Sequence, residues 1–582
     1  MAAVSVPELD LSQQRAARVE LGSRQLVIAG PGSGKTEVVA ALVAQLVEDQ
    51  DADPELSLLV VSFSRAAVYA VTRRLRASDI QAAAAVRTID SLARQIVRES
   101  YGEEIVGRDQ FDRTIARALQ ALRAGDWDRL EDLEHVVVDE VQDVVGLRAE
   151  FLLALLDQLP ARAGFTLLGD PAQAIYDFQL TPEHPTTSNE LMERVTAMTE
   201  VQRRELTGSY RAGTRDAAAA VSLRTEGDGS LQGAEEAVQD FTLAVTPIDD
   251  DGLALLASRQ GKSLAVLTAT NGQALLEAHD LWRRGVAAQV RRPLTAPVVD
   301  AWVAQVLGGT GNWSFSDFVA AVGDEAIALE RWRGLRTWIA PGARTLETRE
   351  VARRIRSATA PGELLVADAD GPIVSTIHRA KGLEFESVVM TEYDRAPQEQ
   401  EDGTGNARVQ YVALTRARFR LMRIRRNRYP TFVTRHKSTG RWLRCWSTAH
   451  KVRAVEVRGD DLDRTRPPGP DVELAQAHLR DRVRPGDPVT LVHDWTSSDE
   501  TPFWDVLHEG VTIGRTTAQF GTDLRRILAG RLSTDLLEVH VECVETVAGD
   551  PTPAAPSGVG SHGLWLGARL VGFAVREWKE EA

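Results

Sequence analysis

Residues 24–36 constrain the fold of this chain more than any other stretch of its sequence. The apolar run Leu26–Ile28 predicts a short buried strand, and a turn rich in glycine follows it. Apolar residues then recur at helical spacing from Val38 to Leu46. A strand, a glycine turn and an amphipathic helix, in this order, form the setting in which backbone N–H groups and a helix N-terminus bind a polyphosphate. The stretch therefore predicts an α/β fold with a phosphate-binding loop.

The loop also carries side chains that suit a nucleotide and its metal ion. Lys35 can reach the β- and γ-phosphates of ATP, and Thr36 can hold Mg²⁺. The first position of the usual pattern is Ala29 rather than glycine, so an ordinary glycine-rich turn is the alternative interpretation. The residues predicted to surround the phosphates are Gly30, Gly32, Ser33, Gly34, Lys35 and Thr36.

A second candidate element is an apolar strand that ends in two acids. Three valines, residues 136–138, are followed directly by Asp139 and Glu140. Doubly wound sheets bind ligands at the carboxyl ends of their strands. Asp139 is therefore predicted to hold Mg²⁺, and Glu140 to activate a water molecule.

Length and composition bound the class of protein. The chain has 582 residues, enough for three or four domains with separate cores. Two cysteines, Cys445 and Cys543, are too few for a disulfide framework and fit a reducing compartment. No apolar run is long enough to cross a bilayer, so we expect a cytoplasmic protein with no membrane partner. The net charge of -15 argues against non-specific coating of nucleic acid but leaves room for a locally positive groove.

Seven motifs occur in a fixed order and together resemble the UvrD/Rep class of superfamily 1 helicases. The resemblance covers about residues 9–426 and implies two RecA-like motor domains that hydrolyse ATP and move along single-stranded DNA, with 3′-to-5′ polarity. In that family alanine is a usual first residue of the loop, so Ala29 fits. The motifs occupy residues 30–36, 139–143, 169–176, 208–211, 264–271, 374–385 and 411–417.

The resemblance implies a role for each matched residue of the nucleotide site. Gln14 reads the adenine edge, with the neighbouring Gln13 as an equally placed alternative. Tyr210 stacks on the base and Glu384 contacts the ribose. Gln173 senses the γ-phosphate, while Arg211 and Arg416 neutralise charge in the transition state from the side of the second motor domain.

Four residues occupy positions that resemble the DNA track of the family: Phe63, Tyr176, Phe178 and His378. Aromatic rings stack on any base without sequence preference. Core packing is the alternative for Phe63 and Phe178. The strand-contact set also departs from the family pattern at several positions, among them Arg65, Ala66, Asp90, Gln179 and Ala269, and Glu37 replaces a usual basic residue beside the loop.

The order of the motifs predicts the domain organisation. A first RecA-like domain covers residues 1–205, with a short helical insertion at 94–133. A second covers 206–292 and 368–457, interrupted by a shortened insertion at 293–367 whose tryptophans we expect to form its core. A proline-rich linker at 458–480 leads to a β-rich domain at 481–582, predicted to be a small barrel or sandwich. We expect this tail to be dispensable for hydrolysis.

Two points stay open at the level of sequence. Residues 408–444 contain many arginines and no acid, which indicates either a phosphate-facing patch or a solvated face paired with acids elsewhere. Besides unwinding, the chain could strip proteins from DNA, or act as a nucleotide-dependent adaptor whose β-rich tail recruits a nuclease or polymerase partner.

Overall fold

The computed structural model describes the following residues: 8–50, 52–53, 56–63, 85–105, 109–223, 235–291, 298–339, 342–357, 360, 364–366, 370–394, 407–427, 431–446, 451–498, 500–528, 534–551 and 558–576. The chain divides into two compact units. Unit 1 comprises Met1–Thr246, Ala380–Val388 and Thr404–Leu421. Unit 2 comprises Pro247–Arg379, Val389–Gly403 and Met422–Ala582.

A six-stranded sheet forms the centre of unit 1. Its strands are β1 (Arg24–Ala29), β2 (Leu58–Ser62), β3 (Ala85–Thr88), β4 (His135–Asp139), β5 (Gly164–Gly169) and β6 (Val201–Leu206). Their spatial order is β3-β2-β4-β5-β1-β6, and every pair is parallel. The middle strands β1, β2, β4 and β5 are almost wholly buried, as parallel strands covered on both faces require.

Helices cover the two faces of this sheet and create two separate cores. They are Leu11–Ala17, Lys35–Gln50, Ile89–Tyr101, Gln110–Ala124, Leu147–Asp157 and Ser188–Thr196. The other helices of unit 1 are Arg215–Ser222, Glu235–Ala244 and Ala407–Leu414, and the last of these packs against the first two. One core lies between the sheet and the helices of residues 89–157, and the other surrounds the helix after the phosphate loop. Beside the first core, Asp90 forms an ion pair with Arg148 at 2.7 Å. Asp90, which departs from the family pattern, therefore has a structural partner.

A second six-stranded sheet contains the later motifs. It comprises β7 (Thr246–Pro247), β8 (Leu264–Thr268), β9 (Gln289–Val290), β12 (Ile373–Thr376), β13 (Phe385–Tyr393) and β14 (Ala417–Arg426). The order is β7-β14-β13-β8-β12-β9, with parallel pairing of β12 to both β8 and β9. Helices Asp250–Gln260, Asn271–Arg283 and Ile377–Ala380 accompany it.

The segment between β9 and β12 is helical and packs around tryptophan rings, as predicted for the core of an insertion. Its helices are Ala301–Leu307, Phe315–Val322, Glu325–Ile339 and Thr348–Ser357. A two-stranded antiparallel sheet of β10 (Asn312–Ser314) and β11 (Thr345–Glu347) brackets the two middle helices. Trp302, Trp313 and Trp332 are buried around Phe318, with ring centroids 5.2–6.3 Å apart. These rings are therefore core residues.

The last part of unit 2 is an eight-stranded antiparallel sheet. Its strands are β15 (Thr431–Arg435), β16 (Trp442–Trp446), β17 (Val452–Val457), β18 (Pro488–His493), β19 (Trp504–His508), β20 (Val511–Arg515), β21 (Leu536–Ala548) and β22 (Leu564–Arg576). The order is β15-β16-β17-β22-β21-β18-β19-β20, and helices Val472–Asp481 and Ala518–Leu528 accompany it. The predicted fold class is confirmed: parallel sheets consistent with RecA-like motor domains, followed by an antiparallel β domain.

The limits of this β domain differ from those expected from the sequence. Strands β15 to β17 were assigned to the second motor domain, yet β17 pairs with β22. The expected linker contains the helix Val472–Asp481 with buried Ala475 and Leu479. Because a strand's partner can lie a hundred residues away, pairing of this kind leaves no local sequence signal.

The β domain also shares a core with the neighbouring motor sheet of unit 2. Val571 and Phe573 of β22 belong to the same buried cluster as Leu264, Val266 and Leu275. Removing the tail would expose that cluster. The shared core therefore argues against the expectation that the tail is dispensable.

Acidic partners account for several arginines of residues 408–444. Arg423 pairs with Glu392 at 3.3 Å and Arg425 with Asp394 at 2.9 Å, while Arg426 is buried against Glu277. The paired-face interpretation thus holds for these side chains. Within the described ranges, no helix combines the length and the apolar character needed to cross a membrane.

Candidate active site

The phosphate loop lies between β1 and the helix Lys35–Gln50. Gly32 and Gly34 have φ angles of 70° and 81°, a backbone conformation that favours glycine. A Cβ on Gly32 would collide with the side chain of Arg211, and the Gly32 carbonyl accepts a 2.8 Å hydrogen bond from the Tyr210 N–H. The loop and the tyrosine–arginine motif therefore lie in direct contact within unit 1.

Two adjacent glutamines precede the loop, and the structure distinguishes between them. Gln13 is buried and donates from Nε2 to the Ser33 carbonyl at 2.9 Å. Gln14 instead donates to the Leu9 carbonyl at 2.7 Å, away from the loop. Gln13 therefore replaces Gln14 as the candidate base-reading residue, because the short helix Leu11–Ala17 turns only one of the two amides toward the phosphate loop.

Lys35 and Glu140 face each other at the carboxyl ends of β1 and β4. The Lys35 Nζ lies 3.6 Å from Glu140 Oε2 and donates to the Ala29 carbonyl at 3.3 Å. Burial alone would raise the pKa of Glu140, but the positive charges of Lys35 and Lys381 outweigh it and lower that pKa. Glu140 is thus held as a carboxylate, the form a general base needs.

Asp139 is buried beside Glu140, and its pKa is shifted in the opposite direction. Burial and the negative charge of Glu140 raise its pKa. A cation would relieve this cost, and a carboxylate together with the hydroxyl of Thr36, in the first turn of the loop helix, is an oxygen donor set that suits Mg²⁺. The predicted metal-binding pair therefore fits the ion chemically.

Glu140 has a strained backbone. Its φ of 56° lies in the left-handed region, which costs a residue with a side chain about 1–3 kcal/mol. The side chain accepts a short hydrogen bond from Gln142 Nε2, whose Oε1 accepts from the Asp170 N–H at 2.9 Å. Strain of this kind persists where the surrounding contacts hold the residue in place, and such residues cluster at active sites.

A chain of hydrogen bonds leads from Asp170 to Arg416. Gln173 donates from Nε2 to Asp170 at 2.7 Å and accepts at Oε1 from Arg416 Nη2 at 3.0 Å. Arg416 is almost completely buried, and burial together with the positive charge of Arg211 lowers its pKa to about 9. Arg211 itself pairs with Glu384 at 2.8 Å.

Arg416 and its neighbours group with the phosphate loop in one compact unit, although Arg416 directly precedes β14 of the second sheet. Residues 380–388 and 404–421 belong to compact unit 1, together with Lys35 and Glu140. All predicted nucleotide-site residues are therefore members of one unit. Their assignment to a second motor domain therefore stays a prediction.

Three residues of the site have no role predicted from the sequence: Lys381, Asp143 and Asp10. Lys381 forms a buried ion pair with Asp143 and also donates to the Gln173 carbonyl. Burial raises the pKa of Asp143 to about 6 even though Lys381 opposes the shift. Both residues lie inside quoted motifs, so the signal was their position there. Asp10 is a third such residue, since it accepts a short hydrogen bond from the Tyr210 hydroxyl.

Three of the four predicted DNA-contacting residues form a row in unit 1. The ring centroids of Phe63 and Tyr176 are 5.1 Å apart, and those of Tyr176 and Phe178 are 6.0 Å apart. Phe178 is 68% exposed, so core packing does not account for it. Lys381 lies above the Tyr176 ring at 5.2 Å, which links this row to the buried Lys381–Asp143 pair. His378 lies in the helix Ile377–Ala380 of unit 2.

Comparison with known families agrees with this arrangement. Residues 13–179 match a family described as AAA domain, and residues 368–427 match the UvrD-like helicase C-terminal domain. The chain is related to the UvrD-like superfamily 1 helicases. Helicase domains of this kind imply ATP hydrolysis. Among curated proteins, no sequence matches this chain.

Solved helicase structures show only distant likeness. The Pif1 helicase from Candida albicans is 14% identical with a TM-score of 0.37, over 72% of this chain and 96% of that protein. The DUF1998 helicase MrfA bound to DNA is 13% identical with a TM-score of 0.35, over 73% of this chain and 50% of MrfA. The relationship to helicases rests on the two family matches.

Proposed function

We propose that this protein is an ATP-dependent motor that moves along single-stranded DNA in the 3′-to-5′ direction and separates duplex ahead of it. One observation carries the proposal: the chain of contacts from Lys35 and Glu140 through Gln142, Asp170 and Gln173 to Arg416, assembled directly behind a phosphate loop. The UvrD-like helicase relationship supports the motor, and its polarity is carried over from that resemblance.

Each residue of the site then has a chemical role. Lys35 and the loop amides bind the phosphates of ATP, and Thr36 and Asp139 would hold Mg²⁺, which would neutralise phosphate charge. Glu140 orients and deprotonates the attacking water. Arg416 and Arg211 stabilise charge that develops on the γ-phosphate, and Gln173 reports its presence to Asp170 and Gln142.

The aromatic row of Phe63, Tyr176 and Phe178 is the proposed base-stacking surface. Each stacked base contributes about 1–3 kcal/mol without sequence preference. Lys381 connects this row to the nucleotide side, because its ammonium contacts the Tyr176 ring, Asp143 and the backbone of Gln173. A change at Gln173 on hydrolysis thus has a direct route to the DNA-contacting rings.

The first test is ATPase activity measured with and without single-stranded DNA and RNA. We expect strong stimulation by DNA, and loss of ATP binding in Lys35→Ala. The matched control is Lys262→Ala, which alters a half-exposed lysine outside the site. Turnover that is unaffected by any nucleic acid, in a folded protein that binds ATP, would contradict a DNA-tracking motor.

A stripping translocase is the second candidate, because the helical segments inserted in both motor regions are short. Strand displacement measured beside streptavidin displacement separates the two activities. Efficient streptavidin removal without strand separation favours stripping. A nucleotide-gated pull-down with the full chain tests the adaptor alternative, in which ATP binding would control capture of a nuclease or polymerase.

A further inference from the structure

The C-terminal β domain contains a cluster of potential metal ligands far in sequence from every helicase motif. Among the described residues, His478, His508 and Glu509 bring one ligand atom each within 4.8 Å of one another. His478 Nε2 and His508 Nδ1 are hydrogen-bonded to each other at 2.8 Å, and both rings are largely buried. We propose that these three residues bind a divalent transition-metal ion, with Zn²⁺ as the best fit.

Two elements of secondary structure bring this cluster together. His478 lies in the last turn of the helix Val472–Asp481, where the carbonyl ends of the helix favour a cation. His508 ends β19, and Glu509 begins the two-residue turn to β20. The three ligands therefore tie a helix to a hairpin tip.

The turn itself is unusual. Glu509 and Gly510 both have positive φ, 48° and 79°, as a two-residue hairpin turn of the I′ kind requires. Glycine, asparagine and aspartate are the residues that adopt this conformation easily, and glutamate is not among them. Glu509 therefore occupies a strained position directly after His508, where its carboxylate lies beside the two imidazoles.

Asp487 supplies the outer support that metal-binding histidines usually have. Its Oδ2 lies 3.3 Å from His508 Nε2. A carboxylate at this distance favours a proton on Nε2, and that tautomer leaves the Nδ1 lone pair of His508 facing His478. Two nitrogens bound to one zinc ion stand about 3.3 Å apart, since each Zn–N bond is about 2.0–2.1 Å long. The present separation of 2.8 Å therefore needs to open by only about 0.5 Å.

The remaining ligand, Glu509, now pairs with Arg482 at 3.0 Å. Both side chains are more than half exposed, and a pair of this kind contributes little to stability. A dication can therefore take the carboxylate from Arg482. Two imidazoles and one carboxylate leave a fourth tetrahedral position for water.

The test uses the full chain after chelator treatment, titrated with Zn²⁺ alone in a calorimeter and with Co²⁺ alone in a spectrophotometer. We expect one equivalent to bind, and Co²⁺ to give the absorption of a tetrahedral nitrogen–oxygen site without thiolate bands. Glu509→Gln should weaken binding about ten-fold, Asp487→Asn about ten- to a hundred-fold, and His508→Gln at least a hundred-fold.

The matched control is His493→Gln, at a histidine of the same sheet whose ring packs edge-on against Trp504. It should bind zinc like the unmodified protein. Glu509 is on the surface, so Glu509→Gln keeps the test decisive if a histidine variant does not fold. Failure of the folded protein to bind zinc, or equal affinity in Glu509→Gln and the unmodified chain, would overturn the proposal. Neither result bears on ATP hydrolysis.

Discussion

Two arginines, one in each unit, are buried to a similar extent, but their pKa values are shifted in opposite directions. Arg416 of the nucleotide site is 1% exposed and has its pKa lowered to about 9 by burial and by the charge of Arg211. Arg441 of the β domain is 3% exposed, yet its pKa is raised, because ion pairs with Asp461 and Asp523 outweigh its burial.

The difference separates charge kept for chemistry from charge kept for structure. Around Arg416, burial and the nearby Arg211 disfavour the charged guanidinium, and burial beside Glu140 likewise disfavours the Asp139 carboxylate. A bound nucleotide with Mg²⁺ would supply the opposite charges that these groups lack. Around Arg441, each charge already has an opposite partner within 3 Å. The site is therefore expected to lose activity before stability on mutation, and the β domain the reverse.

The largest effect is expected from Glu140→Gln. Removing the general base should lower turnover a thousand-fold or more while ATP still binds, because the loop contacts remain. Steady-state ATPase and fluorescent-nucleotide titration measure the two quantities. Glu131→Gln, at an exposed position of unit 1, is the control. Wild-type turnover in a purified Glu140→Gln preparation would remove Glu140 from the base role.

The next largest effect concerns the β domain. Arg441→Ala removes the cation that faces the buried carboxylates of Asp461 and Asp523 and should cost about 3–5 kcal/mol of unfolding free energy. Urea denaturation followed by tryptophan fluorescence measures it, and Arg453→Ala, at an exposed position of β17, serves as control. A loss of unfolding free energy under 1 kcal/mol would show that the Arg441 ion pairs do not stabilise the β domain.

Arg416→Ala tests the other side of the comparison. We expect nucleotide affinity within about ten-fold, or roughly 1.4 kcal/mol, but turnover reduced at least about a hundred-fold at saturating single-stranded DNA. Arg416→Lys should rescue poorly, since an ammonium does not reproduce the planar fork. The exposed Arg420→Ala is the control. Near-normal turnover in Arg416→Ala means that this arginine does not stabilise the transition state.

A smaller effect is expected from pH, and it should appear in both units. Burial lowers the pKa of His135 in β4 and of His540 in β21 to about 4. Between pH 6.5 and 4 the unfolded chain binds these protons more readily than the folded one, so stability falls as pH falls. For each histidine, acidification from pH 7 to 5 should cost about 2 kcal/mol of unfolding free energy.

Urea denaturation at several pH values, on the unmodified chain and on His135→Gln, measures this slope. The variant should show a shallower fall in stability below pH 6.5. His562→Gln, a half-buried histidine of a loop, is the control. An unchanged slope in His135→Gln would mean that other groups govern acid sensitivity.

The smallest effect distinguishes the two adjacent glutamines. Gln13→Ala should raise KM for ATP about ten-fold, because a buried hydrogen bond to the loop is lost, whereas Gln14→Ala should change it less than about two-fold. Measuring KM for GTP as well as for ATP tests whether the glutamine reads the base. Only Gln13→Ala should reduce the ratio by which the protein prefers ATP over GTP. The opposite ranking would restore Gln14 as the base-reading residue.

The two regions also differ in how far the sequence reveals them. Local sequence patterns predict the fold class and the residues that form the nucleotide site. These patterns are the phosphate loop, the acidic end of β4 and the later motifs, and each has a chemical reason. Which glutamine faces the loop, and the burial of Arg416, depend on packing between distant segments. The metal cluster has no local signal, since His478 and His508 meet only through the pairing of β domain elements.

The position of β22 has a consequence for synthesis. This strand lies between β17 and β21 in the middle of its sheet, yet it is the last of the eight to leave the ribosome. Strands β15 to β17 emerge first and wait while more than a hundred residues are added, which takes roughly ten seconds at 5–20 residues per second. During that interval the edge of β17 is open to other chains. Slow translation or chaperone shielding of nascent β15–β17 should therefore decide the yield of folded protein.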